Sequence, residues 1–160
     1  MRITRIENVE ELKIVRHLAE RIWNDHYVEI IGQEQVDYML GRMYDLESLR
    51  LQMAGGDVFY LLYSDALPLG FSSIRKEKDG SWFMNKLYVE TTEHRKGMGA
   101  YFFKELIAIN DIETIRLQVN RQNYKAINFY FKMGFVIERV ADFDIGDGYF
   151  MNDFVMVWQS

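Results

Sequence analysis

The sequence predicts a single α/β domain, in which one strand-helix-strand crossover interrupts a mostly antiparallel sheet. Two observations support this fold class. Apolar residues recur every three to four positions in the first third of the chain, whereas β-rich runs separated by turn residues follow from residue 57 onward. The 160 residues fit one domain spanning 1–160. The predicted order is β-α-α-α-β-β-β-α-β-α-β-β, with about seven strands flanked by helices.

The N-terminal part begins with a short edge strand, RITRIE. Asn8, followed three residues later by Glu11, has the spacing of a capping box and predicts the start of the first helix. A second helix is predicted over 33–44, and a third after Asp45, ending at Gly55. Between the first two helices the stretch NDHYVEIIG interrupts the helical pattern.

The rest of the chain alternates between strands and two helices. Three runs, DVFYLLYSD, LPLGFSSIRKE and SWFMNKLYVE, are typical of an antiparallel meander because turn residues separate them. The apolar run YFFKELIAIND predicts a helix, TIRLQV a strand and YKAINFYFKMGF a second helix. The turn GDG then joins two final strands, FVIERVADFDI and YFMNDFVMVW.

Composition excludes several classes of function. The net charge of −5 and the pI of about 5.2 argue against a nucleic-acid binder. No cysteine is present, and the three histidines lie far apart without ligand spacing, so neither a metal nor a thiolate nucleophile is expected. The charged N-terminus resembles no signal peptide, and no apolar run is long enough to span a membrane. A cytoplasmic address with no membrane partner is therefore the expectation.

Two segments carry the chemistry. Gly97, Met98 and Gly99 open a helix after a strand, where free N–H groups and the helix dipole favour a phosphate. An ordinary tight turn explains the same glycines equally well, and the pattern is neither a Rossmann fingerprint nor a Walker A motif. The second segment, residues 120–135, has Asn123 as its predicted N-cap, but a phenol at Tyr130 on its packed face requires a partner.

Taken together, these segments resemble the GCN5-related N-acetyltransferases (GNAT family). In that family, the acetyl-CoA loop reads Q/R-x-x-G-x-G/A, and the next helix carries N-x-x-A-x-x-F/Y-Y and ends in G-F. The resemblance covers essentially the whole chain, although a histidine replaces the usual Gln or Arg of the loop. The matching residues are His94, Gly97, Gly99, Asn123, Ala126, Phe129, Tyr130, Gly134 and Phe135.

The resemblance implies acetyl-CoA as cofactor, CoA as product and a cofactor site. Strand backbone would pair with the pantetheine, the loop would hold the pyrophosphate, and Tyr130 would act as general acid towards the departing thiolate. Whether His94 or Arg95 contacts the phosphates stays open. The cofactor-binding residues so implied are Leu87, Tyr88, Val89, His94, Arg95, Lys96, Gly97, Met98, Gly99, Ala100, Asn123 and Tyr130.

The acceptor site is expected in the segment after the first strand and in the C-terminal hairpin, because these carry acceptor specificity in the family. Both combine aromatic rings with carboxylates, which suits a small cationic amine. Hairpin aspartates are also ordinary turn and surface residues. The hairpin residues are Asp142, Asp144, Asp147, Tyr149 and Asp153, and the candidate substrate-binding residues are Trp23, His26, Tyr27 and Asn85.

Several alternatives remain open at this level. The chain also resembles, more loosely, the PaiA-type spermidine/spermine N-acetyltransferases, which favours a polyamine acceptor. The alternatives are a peptide or protein N-acetyltransferase and a non-catalytic acyl-CoA sensor. The general base stays open among Tyr88, His26 and Glu29. A homodimer is also an alternative, in which the aromatic-rich C-terminal strand pairs with its copy across a two-fold axis.

Overall fold

A seven-stranded sheet forms the centre of the computed structural model, which describes residues 1–90 and 97–160. The strands are β1 (Arg2–Arg5), β2 (Val58–Ser64), β3 (Leu67–Lys76), β4 (Trp82–Val89), β5 (Thr114–Asn120), β6 (Val136–Gly146) and β7 (Tyr149–Gln159). Their order across the sheet is β1-β2-β3-β4-β5-β7-β6. Only β4 and β5 run parallel, which confirms the predicted crossover.

The helices are α1 (Leu12–His26), α2 (Val28–Ile31), α3 (Gln33–Met43), α4 (Leu46–Ala54), α5 (Met98–Asn110) and α6 (Tyr124–Met133). The capping box of Asn8 and Glu11 is confirmed; it closes a 3₁₀ turn that leads into α1. Asp45 caps α4 as predicted. The sequence missed α2, since a single helical turn is too short to show a 3.6-residue period. Within the described ranges, no helix is long and apolar enough to cross a membrane.

Two hydrophobic cores lie on opposite faces of the sheet. Successive residues of β2 alternate between them: Tyr60 and Leu62 pack with α5 and α6, whereas Phe59 and Leu61 pack with α1, α3 and α4. The chain therefore places the glycine-opened helix α5 and the Asn123 helix α6 on the same face. Residues of α1 and its extension line the opposite face.

A β-bulge near the C-terminal end of β4 changes the direction in which its last side chains point. Ser73 of β3 pairs with Lys86, but the next residue of β3 pairs with Met84, so Asn85 is the extra residue. Met84 faces the core of α5 and α6, and Leu87 is the next residue of β4 to do so. The bulge thereby changes which side chains of β4 face each side of the sheet.

Strands β4 and β5 separate after three residue pairs. Trp82, Phe83 and Met84 pair with residues 115–117, and no pairing between the two strands continues beyond Met84. Because β3 and β7 occupy the outer sides of β4 and β5, the backbone groups facing the gap lack strand partners. A cleft therefore opens between the C-terminal ends of two central strands.

Polar side chains fix the bulge from the face of α4. Asn85 Nδ2 donates to Asp57 Oδ2 at 3.0 Å, and Lys86 Nζ donates to Gln52 Oε1. Burial lowers the pKa of Lys86 to about 8, although the negative charge of Asp57 opposes this shift. Both side chains of the bulge are thus held in place, which keeps the end of β4 directed away from β5.

The expectation that the C-terminal strand pairs across a two-fold axis is wrong. Strand β7 lies between β5 and β6 and uses both of its edges inside the sheet. The edge strands are β1 and β6. Three of its aromatic residues, Tyr149, Phe154 and Trp158, pack within the chain, whereas Phe150 is exposed.

Candidate active site

The N-terminus of α5 opens onto the cleft. Gly97 adopts φ +89°, a left-handed conformation that favours glycine, and nothing lies within 4 Å of where a Cβ would stand. The first hydrogen bond of the helix runs from Tyr101 N to Gly97 O. The N–H groups of Met98, Gly99 and Ala100 therefore have no intrahelical partner and are available to an anion.

Gly99 has a second, structural reason to be glycine. A Cβ at this position would lie 3.2 and 3.3 Å from two ring atoms of Phe129 on α6. The start of α5 thus packs directly on α6, and the sequence motif reflects this packing as well as the approach of a ligand.

A cavity of about 690 Å³ lies between the end of β4, the end of α1 with the segment after it, and the helices α5 and α6. This volume is within the range of small-molecule and cofactor sites, roughly 300–1,000 Å³. Of the residues predicted from sequence, the cavity brings together His26, Tyr27, Leu87, Tyr88, Val89, Gly97, Met98, Gly99, Asn123 and Tyr130. The side chain of Ala100 does not line it, and His94, Arg95 and Lys96 lie outside the described residues.

Asn123 connects α6 to the end of α1. Its Oδ1 accepts from Ala126 N at 3.2 Å, which confirms the predicted N-cap. Its Nδ2 donates to the Tyr27 hydroxyl at 3.1 Å. Burial raises the pKa of Tyr27 to about 12, so this phenol remains neutral and holds the two walls of the cavity together.

Tyr130 is buried with its ring edge-to-face against Phe129 and Phe135 at 5.3 Å. Among the described residues, none forms a hydrogen bond with its hydroxyl, although the residue lines the cavity. Burial raises the pKa of Tyr130, and the nearby Tyr27 adds to this shift. The phenol therefore retains its proton at neutral pH and lacks a partner that a ligand would supply.

A second, narrow cavity of about 90 Å³ continues from the first towards α1 and β7. Tyr27, Leu87, Tyr88, Ala126 and Tyr130 line both cavities, so these residues form the junction. The predicted substrate residues Trp23 and Asn85 line the smaller cavity. The amide of Asn85 is engaged by Asp57, as described for the bulge.

Sequence reasoning missed one charged residue of the site, Lys125, and did not distinguish another, Asp153, from the other aspartates of the hairpin. Lys125, at the start of α6, lines the larger cavity near the N-terminus of α5. Asp153 lines the smaller cavity and is 1% exposed, whereas Asp142, Asp144 and Asp147 of the same hairpin are exposed. A signal for Asp153 was present, because it alternates with Met151 and Val155 on the inward face of a strand.

These features fit an acetyl donor attached to coenzyme A. Free N–H groups and a lysine at the outer end suit phosphates. The unpaired backbone of the splayed strands suits an amide-containing arm, and the apolar junction suits a thioester. Lys125 thus contributes a positive charge to the larger, outer cavity, and Asp153 contributes a negative charge to the smaller, inner cavity.

Comparison with known proteins agrees with this geometry. A family model described as an acetyltransferase (GNAT) domain matches residues 55–137, more than half of the chain. Among solved structures, PaiA N-acetyltransferase from Thermoplasma acidophilum in complex with coenzyme A is similar at 22% identity, with 100% of each chain covered and a TM-score of 0.75.

Two enzymes with peptide or protein acceptors share the fold. The ribosomal-protein-S18-alanine N-acetyltransferase of Escherichia coli is 16% identical, covers 99% of this chain and 92% of its own, and has a TM-score of 0.72. Arabidopsis thaliana Naa50, in complex with a bisubstrate analogue, is 17% identical over 99% and 98% of the two chains, with a TM-score of 0.70. The family match and the shared fold together show that the chain belongs to the GNAT family and is an acetyl-CoA-dependent N-acetyltransferase.

Proposed function

We propose that this acetyltransferase modifies a primary amine of a small, linear, cationic molecule such as a polyamine. The observation that carries the proposal is the closure of the acceptor side by the β6–β7 hairpin. The Tyr38 hydroxyl of α3 donates to Ile145 O at 2.7 Å, and Gln35 Nε2 donates to Phe150 O at 3.1 Å. Because both bonds reach the hairpin backbone, the hairpin is fixed on α3.

This closure favours a small acceptor over a peptide. A peptide must lie across an open groove between the helical segment and the hairpin, with its backbone exposed to pairing. Here Tyr38 also packs against Tyr149, with ring centroids 5.0 Å apart, so side chains as well as hydrogen bonds join α3 to the hairpin. A slender chain entering end-on needs no such groove.

The walls of the inner cavity suit a positive charge. Tyr27 stacks on Trp23 at 4.5 Å and meets the ring of Tyr88 edge-on at 6.1 Å. Aromatic faces attract ammonium groups, most strongly where water is excluded. With a volume of about 90 Å³, the inner cavity is much smaller than the outer one and suits a slender aminoalkyl end.

For the chemistry, we propose Tyr130 as the general acid. Acetyl-CoA supplies a thioester whose carbonyl carbon accepts the amine and whose sulfur leaves. The Tyr130 hydroxyl, at the junction of the cavities, gives its proton to that sulfur. Burial raises the pKa of the phenol and would also raise that of a thiol in the same cavity, which favours the protonated thiol as the product.

The cofactor contacts follow from the same cavity. The backbone of Leu87, Tyr88 and Val89 would pair with the pantetheine arm, since it faces the gap left by β5. The N–H groups of 98–100 and the Lys125 ammonium would hold the phosphates. The predicted contacts of His94, Arg95 and Lys96 stand as proposals from the resemblance.

Asn123→Ala is expected to weaken both stability and cofactor binding. Loss of the N-cap costs about 1 kcal/mol of unfolding free energy, and loss of the bond to Tyr27 releases one cavity wall. The matched control is Asn8→Ala, which removes the other asparagine cap, on an exposed surface. Thermal denaturation should show similar losses for both variants, but isothermal titration should show weaker CoA binding for Asn123→Ala only. Equal CoA affinity in the two variants would restrict Asn123 to capping.

A substrate panel tests the proposed function. Release of free thiol from acetyl-CoA would be followed with spermidine, spermine, an aminoglycoside, amino acids and short peptides. We expect kcat/KM for the linear polyamines to exceed that for peptides by at least about tenfold, because their slender cationic ends suit the inner cavity. A preference for peptides would overturn the small-amine proposal. CoA binding without turnover of any acceptor would instead favour a sensor.

A further inference from the structure

We propose that Asp153 is the catalytic base: its carboxylate receives the ammonium end of the acceptor and takes the first proton that the nitrogen loses. The inference rests on the proposed small-amine function. It assigns a residue to the deprotonation of the amine, for which the sequence left Tyr88, His26 and Glu29 as candidates.

Asp153 occupies a position that an aspartate rarely takes. It lies in β7, paired with Asn120 on one side and Ala141 on the other, so it belongs to a strand inside the sheet. Its side chain is 1% exposed, and Oδ1 has no hydrogen-bond partner among the described residues. Aspartate is depleted in strands and is almost never fully buried without a partner. The missing partner is therefore expected in the cavity that Asp153 lines.

The nearest cation does not supply that partner. Arg121, just after β5, donates through Nη2 to Asp142 Oδ1 at 2.7 Å. Burial raises the pKa of Asp153 to about 6, Arg121 opposes the shift and Asp142 adds to it. The carboxylate is thus mostly ionised at pH 7, yet it is a stronger base than an ordinary aspartate.

The remaining groups around the carboxylate are neutral. Tyr27 from the end of α1, Tyr88 from β4 and Tyr130 from α6 line the same small cavity. The charge of Asp153 contributes to the raised pKa of Tyr27, which indicates that its field reaches into the cavity. An alkylammonium in this space would be the missing counter-charge, in a cavity that Tyr130 also lines.

The earlier candidates for the base are less suited. Glu29 is exposed on α2 and lines neither cavity. His26 lines the larger cavity only, beside the cofactor rather than at the inner end. Burial raises the pKa of Tyr88, so this phenol is neutral and has no negative charge with which to accept a proton.

The acceptor nitrogen loses two protons in this reaction, one to Asp153 and one to Tyr130. One N–H bond of the ammonium breaks and its proton moves to Asp153. The freed lone pair forms the C–N bond to the acetyl carbon, the C–S bond breaks with its electrons on sulfur, and sulfur takes the Tyr130 proton. The second proton lost by nitrogen restores the Tyr130 hydroxyl. The proton on Asp153 leaves to water with product release.

Asp153→Asn tests the assignment with acceptors of matched size. Asparagine keeps the shape and removes the base, so kcat/KM for propylamine and spermidine should fall about 10²–10⁴-fold. Trifluoroethylamine is uncharged at neutral pH and needs no deprotonation before attack, so its kcat/KM should change far less. Wild-type kcat/KM should also decline below an apparent pKa near 6, and this acid limb should vanish in the variant. Asp65→Asn removes an exposed charge of the turn between β2 and β3, which lines neither cavity, and should leave these values unchanged.

Comparison of wild type with Asp153→Asn distinguishes failure of the base assignment from failure of the proposed function. Thermal stabilisation of Asp153→Asn by CoA, equal to that of wild type, would establish that the variant is folded. If wild type acetylates small amines and Asp153→Asn does so with the same kcat/KM and pH profile, the base assignment is wrong and the proposed function stands. Equal losses for propylamine and trifluoroethylamine would also overturn it. If wild type acetylates no small amine, the proposed function fails and this inference with it.

Discussion

Tyr130→Phe is expected to reduce kcat about 10²–10⁴-fold at saturating acetyl-CoA and amine, which is the usual contribution of a general acid. None of residues 1–90 and 97–160 forms a hydrogen bond with this hydroxyl, so its removal leaves none of them without a partner and should cost little stability. The thermal transition and CoA affinity should therefore remain close to those of wild type. The loss should appear in the rate of free thiol release alone.

Tyr124→Phe is the matched control for this experiment. Tyr124 begins the same helix, but its side chain is 71% exposed, so removal of its hydroxyl should leave turnover unchanged. Full turnover in Tyr130→Phe would exclude the phenol as the acid. A large fall in melting temperature would instead indicate that the hydroxyl stabilises the fold.

Gly70→Ala is expected to disturb the end of β4 from the neighbouring strand. Gly70 of β3 pairs with Val89, and a Cβ there would lie 2.5 Å from Tyr88 O and 3.2 Å from Val89 Cα. Since both atoms belong to backbone, the strand must move. Overpacking of this kind costs about 1–3 kcal/mol of unfolding free energy. Displacement of the backbone that faces the cofactor should also weaken CoA binding.

Differential scanning fluorimetry with and without CoA would measure both effects. A chain of this size loses roughly 2–4 °C in melting temperature for each kcal/mol. Gly41→Ala serves as control: it lies within α3 with nothing within 4 Å of its Cβ position, so the variant should be more stable by up to about 1 kcal/mol. A Gly70→Ala protein with wild-type melting temperature and CoA response would contradict the argument.

The local signals in the sequence were sufficient for most of the fold. The capping residues Asn8, Asp45 and Asn123 each mark the start of a helical segment, and the crossover from β4 to β5 follows from alternating strand and helix patterns. Helix α2 was missed because four residues carry no period. The predicted caps and the missed helix α2 both depend on residues that are near one another in the chain.

Features that depend on pairing between distant residues could not be read from the sequence. The bulge at Asn85 reverses the inward alternation of β4, and the hairpin order that places β7 inside the sheet is a property of three strands together. In the candidate site, residue type alone does not distinguish the four aspartates of the hairpin from one another. Alternation with Met151 and Val155 indicates an inward position for Asp153, but its burial in a strand paired on both edges follows from the sheet register.

The gap between β4 and β5 also divides the sheet mechanically. Strands β1 to β4 form one half-sheet and β5, β7 and β6 the other, and three residue pairs join them. A ligand that pairs with the free edges acts as a removable strand across this seam, so that occupancy and folding are linked. At a hundred times Kd, such a ligand stabilises the folded chain by about 2.7 kcal/mol. The amount of intact enzyme in a cell would then follow the supply of its acetyl donor.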